Sequence, residues 1–257
     1  MEVEGGGVAT CFKQNLADPR VTEIVARSGF DCVWLDLEHV GNSISAVEAG
    51  IWAAKAHDVD VVVRVPRGSY SDLIRPLELD ATGIMVPHIM SLDDARAVAR
   101  QTRFHPVGLR PLDGGNADGG YGQVPLGSTS RAQTTNASSS SRSRTRNRLR
   151  NSNRSRHCRD RHVVLRPRRL LPGDRRPGAW DHPRLTEARE RIARVAEANG
   201  KFAGTVGSPA NSDELIALGY RFISLGADVV GLADYATQLL DRTATLAGGI
   251  YSERPAP

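Results

Sequence analysis

From Gly7 onward, short apolar runs alternate with amphipathic stretches, and this alternation limits the chain to very few architectures. The clearest run is Val59 to Val65 (VDVVVRV), a β-branched stretch with no regular polar face. Such a run suits a parallel strand covered on both sides. Gly7 to Phe12, Cys32 to Leu37, Gly83 to Pro87, Phe202 to Val206 and Tyr220 to Leu225 read as further strands. Helical periodicity fills the gaps: from Pro19 to Gly29, Ser43 to His57, Ser71 to Leu79, Ser91 to Arg103, Pro183 to Asn199, Asn211 to Leu218 and Asp234 to Leu246. Pro76 interrupts the third of these. Repeated βα units spaced about 25 residues apart imply a parallel sheet. Six strands are visible, with room for two more, which is the arithmetic of an α/β TIM (β/α)8 barrel. A doubly wound open sheet is the alternative. It is disfavoured because no Gly-rich phosphate loop follows the first strand.

The space for the missing units is occupied by something different. Gly127 to Arg176 holds 15 Arg against two Asp, a charge of +13. The chain's net charge is +5, so everything outside that segment carries −8. The basic balance therefore says nothing about the partners of the folded part. The division is residues 1–126 as the N-terminal part of the barrel, 127–176 as a basic low-complexity segment expected to be disordered, and 177–257 as the C-terminal part. Three cysteines, Cys11, Cys32 and Cys158, show neither metal-ligand spacing nor a disulfide framework. There is no signal-peptide pattern and no apolar run of the roughly 20 residues a membrane span needs. A cytoplasmic protein without membrane association is expected.

In a barrel, function gathers at the C-terminal ends of strands. Asp36, Glu38 and His39 follow one strand, Arg64 closes another, and His88 follows GIMVP. A histidine beside carboxylates can act as a general base. An arginine there offers a planar fork to a substrate carboxylate. Each has a plainer reading. Arg64 can pair structurally with Asp36, Glu38 can face solvent, and a histidine after a strand is more often a structural hydrogen-bonding residue. The run Arg110 to Gly122 (RPLDGGNADGGYG) is either a lid or a long turn.

Taken together, GFDCVWLDLEHVGNS, VVVRVPR, GIMVPHI and RFHPVGLRP resemble the HpcH/HpaI class II pyruvate aldolases, a family that includes 4-hydroxy-2-oxoheptanedioate aldolase. PGAWDHPRL, GKFAGTVGSP and GYRFISLGAD are similar to the family's final third. The resemblance spans about residues 7–126 and 177–240. It implies a TIM barrel, reversible aldol cleavage of a 4-hydroxy-2-oxo acid to pyruvate and an aldehyde, and a divalent metal such as Mg²⁺ or Mn²⁺ that stabilises the enolate. It implies a small 2-oxo acid substrate and allows a homo-oligomer. By position, His39 matches the family's base, which works through water, and Glu78 stands where the family has an Asp paired with that base. Arg64 matches the arginine that steadies the pyruvate oxygen, and Asp36 joins it in substrate binding. GLRP at Gly108 departs from the commoner Gly-x-Arg-Gly.

The family's metal ligands are a Glu in a Val-Gln-Ile-Glu strand and an Asp in a Gly-Pro-x-Asp-Leu-Ser loop. Neither motif occurs, so no metal ligand is assigned; both belong within 127–176. The genetic code explains the loss. Leu165 to Pro172 (LRPRRLLP), read one nucleotide forward, allows Phe-Gly-Pro-Gly-Asp-Phe-Ser. Ala137 to Arg144 (ASSSSRSR), in the other shifted frame, allows Val-Val-Val-Gln-Ile-Glu after a first apolar residue. The two matches fall in the family's order and place. The ligand Glu corresponds to the Ser143/Arg144 junction and the Asp to Arg169/Leu170. The segment is read as out-of-frame translation, and the expectation is an inactive chain with part of its core missing. Two rivals remain. A citrate-lyase or malyl-CoA-lyase-like barrel would use related chemistry. A non-catalytic protein with an Arg-rich nucleic-acid-binding segment would use the basic run, but Ser128 to Arg176 contains no aromatic residue for base stacking.

Overall fold

The computed structural model of the chain describes residues 7–123, 162–164 and 183–244. Their strands form one parallel sheet. In chain order they are β1 (Ala9–Gln14), β2 (Cys32–Asp36), β3 (Asp60–Arg64), β4 (Gly83–Met85), β5 (His162–Val164), β6 (Phe202–Gly207) and β7 (Tyr220–Ala227). The sheet order is β4-β3-β2-β1-β7-β6-β5, so the first strand lies between the second and the last. Every pairing is parallel. The helices are α1 (Pro19–Arg27), α2 (Ile44–Ala56), α3 (Tyr70–Glu78), α4 (Leu92–Thr102), α5 (Pro183–Ala198), α6 (Ser212–Ala217) and α7 (Asp228–Ala244). Among the described residues β4 and β5 end the sheet and do not pair with each other, so a parallel α/β sheet is present and the closed eight-stranded barrel remains an expectation.

Local chemistry places each element. Asp18 caps α1 by accepting from the Arg20 amide, with Pro19 at the first helical position where its missing N–H costs nothing. Ser43 caps α2 and Ser91 caps α4, each accepting from the amide three residues on. Gly29 leaves α1 with φ +94°, a left-handed conformation that suits glycine. β2 and β3 are buried at all five positions, as their continuous apolar pattern predicts for covered parallel strands. Val33, Leu35, Val61 and Val63 pack outward on Val25, Val47 and Ile51. Ala9, Cys11, Cys32, Trp34, Val62, Met85 and Phe222 fill the other face. Cys11 and Cys32 are both buried. Burying each such valine or leucine contributes about 1.5–3 kcal/mol.

Two features depart from the sequence reading. The short strand His162–Val164 lies inside the basic segment and pairs with Phe202–Gly204, where no strand was expected. The rest of 127–176, including both shifted-frame matches, lies outside the described residues. The final helix begins at Asp228, six residues before the expected Asp234, directly after β7. Gly226, at φ +74°, supplies the turn that would otherwise need a loop, and Gly231 is absorbed into the helix. The Asp228 carboxylate accepts from the amides of Asn15 (2.9 Å) and Leu16 (2.8 Å), tying the exit of β1 to the start of α7.

A buried polar clasp joins β1 to α1. The Thr22 hydroxyl donates to Gln14 Oε1 at 2.7 Å, and Gln14 Nε2 donates to the carbonyls of Leu16 and Asp18. Thr22→Val keeps the shape and strands the Gln14 oxygen in the interior. We expect a loss of about 1–3 kcal/mol, measured by denaturant unfolding; an unchanged midpoint would show that the clasp contributes nothing.

Candidate active site

The sheet's two-residue period and its register build the site. Lys13 pairs in register with Trp34, and Asp36 with Arg64. The inward alternation Ala9, Cys11, Lys13 therefore ends beside Trp34, and a charged layer of Lys13, Asp36 and Arg64 covers the apolar one at the C-terminal ends of the strands. Asp36 is 0% exposed and Arg64 2%. Arg64 donates from Nε to Asp36 Oδ1 at 2.8 Å and from NH2 to Asp36 Oδ2. The Glu38 amide donates to Asp36 Oδ1 at 2.9 Å, and Lys13 Nζ lies 3.2 Å from Oδ2. Both cations sit over the indole of Trp34, Lys13 Nζ at 5.5 Å and Arg64 Cζ at 4.9 Å from the ring centre.

These contacts set the carboxyl's titration. Burial pushes Asp36 upward. The Arg64 hydrogen bonds, the Glu38 amide and the charges of Arg64 and Lys13 together outweigh burial and hold it at about 2.

Glu38 forms the next layer. Its Oε2 lies 3.0 Å from Arg64 NH1 and 3.4 Å from His39 Nε2, and its Oε1 lies 3.4 Å from His88 Nε2. The plain reading of Glu38 as solvent-facing does not hold, since its side chain is only 10% exposed. His39 is 56% exposed and reaches the mouth of the site. His88 adopts φ +57°, and its carbonyl accepts from Arg67 NH1, which fixes the turn after β4.

The structure thus brings Asp36, Glu38, His39, Arg64 and His88 together. Glu78 belongs to a different neighbourhood. Burial raises its pKa, with opposing effects from Arg110 and Arg75 on one side and Asp118 and Asp113 on the other. Among the ion pairs of the described residues, His39 meets Glu38 rather than Glu78. Asp36, expected as a substrate contact, is sealed beneath Arg64. The Arg110–Gly122 run is pinned by a buried ion pair, Arg110 NH2 to Asp118 Oδ2 at 2.7 Å, with Arg110 stacked 4.6 Å from the Phe104 ring centre. Lys13 escaped the sequence reading. The signal was the two-residue alternation of Ala9, Cys11 and Lys13, which marks the lysine as inward-facing.

The implied metal can be tested against these donors. Among the described residues no three His, Cys, Asp or Glu side chains converge as a metal site. Asp36 and Glu38, the two carboxylates present, are committed to Arg64, Lys13 and the histidines. The described donor set does not fit a divalent cation. Among the described residues no helix is long and apolar enough to cross a membrane.

Residues 10–142 match the family pattern described as HpcH/HpaI aldolase/citrate lyase. The chain is 27% identical over 229 residues to a hydroxypyruvate/pyruvate aldolase of Cupriavidus necator, covering 88% of this chain and 84% of that one. It is 26% identical over 227 residues to a 5-keto-4-deoxy-D-glucarate aldolase of Klebsiella pneumoniae, covering 88% of each. The fold matches the crystal structure of an HpcH/HpaI aldolase from Desulfitobacterium hafniense with a TM-score of 0.75 at 20% identity, covering 98% of this chain and 97% of that one. The strand-end cluster and the match across half of the chain lead to one conclusion: this chain belongs to the HpcH/HpaI aldolase/citrate lyase family, whose members are carbon–carbon lyases.

Proposed function

We propose that this chain keeps the 2-oxo acid half of a pyruvate aldolase site and lacks the metal-binding half, so that it binds pyruvate-like acids without turning them over. The observation that carries the binding half is Arg64. It is buried, held by Asp36 along its Nε and NH2 edge, and its NH1 lies 3.0 Å from Glu38 Oε2. A fixed guanidinium of this kind can grip a carboxylate or keto oxygen with little ordering cost. Asp36 then acts as a positioning residue for Arg64. His39, exposed and beside Glu38, is the group placed to exchange a proton with a substrate through water. Glu38, not Glu78, stands beside that histidine; Glu78, which family position would pair with it, lies among Arg75, Arg110, Asp113 and Asp118. When bound in a complete family site, a divalent metal stabilises enolate charge. The carboxylates expected to hold it are missing from the sequence of 127–176. The strand His162–Val164 supports the reading of that segment. It ends one residue before Leu165–Pro172, the stretch whose shifted frame spells the metal loop, at the place in the chain where such a loop would leave a strand.

The 4-hydroxy-2-oxo acid class follows from the resemblance and from the aldolase names of the relatives. Exposed Val230, Leu232, Tyr235 and Leu239 along α7 support self-association.

Two measurements test the proposal. Release of pyruvate from 4-hydroxy-2-oxo acids, with Mn²⁺ added, should stay at background; normal turnover would overturn the inactive half. Calorimetric titration with pyruvate should show saturable binding that Arg64→Met abolishes; a folded native chain that binds no pyruvate would overturn the other half. Binding or cleavage dependent on acetyl-CoA, without pyruvate binding, would favour the citrate-lyase-like rival.

A further inference from the structure

We infer that Glu38 is a specificity-determining residue of this site: its carboxylate stands on the part of Arg64 left to a ligand, and so selects against ligands that carry negative charge. This rests on the 2-oxo acid reading above and deepens it.

The guanidinium of Arg64 has five N–H donors in a fixed plane. Asp36 accepts from Nε at 2.8 Å and from NH2, which commits that edge to a fully buried carboxylate. Trp34, itself buried, lies against the guanidinium with its ring centre 4.9 Å from Cζ. A ligand is left with the remaining donors, those of NH1 above all. The Arg64 side chain is only 2% exposed, so a ligand cannot reach them while every neighbour stays in place. Among the described residues, Glu38 is the carboxylate standing on NH1, its Oε2 3.0 Å away. It follows β2 rather than lying within it, and it is the side chain placed to give way.

Glu38 also has somewhere to go. Its Oε2 lies 3.4 Å from His39 Nε2, and its Oε1 lies 3.4 Å from His88 Nε2. Both imidazoles are partly exposed, so they lead outward from Arg64. A carboxylate leaving NH1 keeps both within reach, and an Nε2 that carries hydrogen can donate to it.

Charged and uncharged ligands then fare differently. An uncharged carbonyl oxygen can share the guanidinium with Glu38. An anion competes with Glu38 for the same positive charge and meets its carboxylate at close range, where like charges repel. The discrimination comes from a repulsive group already in the site rather than from an added attraction.

Pyruvate and pyruvamide, its uncharged amide, would each be titrated calorimetrically into the native chain, Glu38→Gln and Glu38→Ala, with thermal unfolding measured alongside. Glu38→Gln keeps the size of the side chain and removes its charge. It is expected to bind pyruvate about tenfold or more tighter than the native chain, with pyruvamide binding unchanged. Glu38→Ala removes the carboxylate without leaving an amide beside the histidines, and should show the same gain for pyruvate. Pyruvate affinity that is native-like or weaker in both folded variants would overturn the role of Glu38 while leaving the 2-oxo acid reading intact. So would an equal gain for pyruvate and pyruvamide in Glu38→Gln, which marks a loosened cover rather than a removed charge. A native chain that is folded and binds no pyruvate overturns the 2-oxo acid reading, and the role of Glu38 falls with it.

Discussion

Asp36→Ala should destabilise the chain by about 3–5 kcal/mol, the largest effect we expect from any single substitution. The substitution leaves Arg64 buried with no carboxylate on its Nε and NH2 edge, and leaves Lys13 without the ion pair to Asp36. An isolated buried charge costs far more than the pair it belonged to contributes. Removing both partners, as in Asp36→Leu with Arg64→Met, should therefore recover a large part of the loss. If the double variant is no more stable than Asp36→Ala, the penalty lies in packing rather than in uncompensated charge. The acid limb of the stability curve supplies a second check. The folded Asp36 carboxyl, at about 2, lies below its ordinary value of 3.8. A depressed carboxylate contributes stability that is complete above its unfolded value and is lost as pH falls through the folded one. The gap between native chain and Asp36→Ala should thus be full above about pH 4 and narrow between pH 4 and 2. A gap that stays constant across this window would contradict the assignment.

The second large effect concerns codons 127–177. If the Arg-rich text is a shifted reading, restoring the frame should return two carboxylates and the strands that carry them. Pyruvate release in Mn²⁺ should then rise at least about a thousandfold, since stabilising transition-state charge by several kcal/mol corresponds to that factor or more. The restored chain should also bind Mn²⁺ and unfold cooperatively at a higher temperature. The nucleotide sequence gives the sharper test. Codons that specify Ser and Arg in frame, in a product that binds metal and turns over substrate, would refute the reading outright.

Much of this molecule can be read from its sequence, for reasons visible at particular residues. β3 is legible because DVVVR is β-branched, bounded by Asp58–Val59 and Pro66, and buried on both faces. α1, α2 and α4 are legible because Asp18, Ser43 and Ser91 cap them. The start of α7 is not, because Gly226 and Gly231 look alike as letters, yet one turns the chain and the other sits inside the helix. β5 is not, because three residues within RHVVLR carry no period. At the site, Asp36, Glu38, His39 and Arg64 could be named from strand ends and spacing. The link from Glu38 to His88 could not, since it joins residues following β2 and β4 through a fold that the letters do not draw. The alternation Ala9, Cys11, Lys13 turns Lys13 inward, yet one lysine after an apolar run also looks like the strand's wet end, and pairing with Trp34 decides between the two.

The seating of β1 between β2 and β7 governs how the polypeptide matures on the ribosome. Its partner β2 is made within about one βα unit of it, but its other neighbour, where Ala9 meets Phe222, is synthesised more than two hundred positions later. Until Tyr220–Ala227 emerges, one backbone edge of the oldest strand has no strand to bond to, so nascent chains stalled before that point should be protease-sensitive and dependent on chaperones.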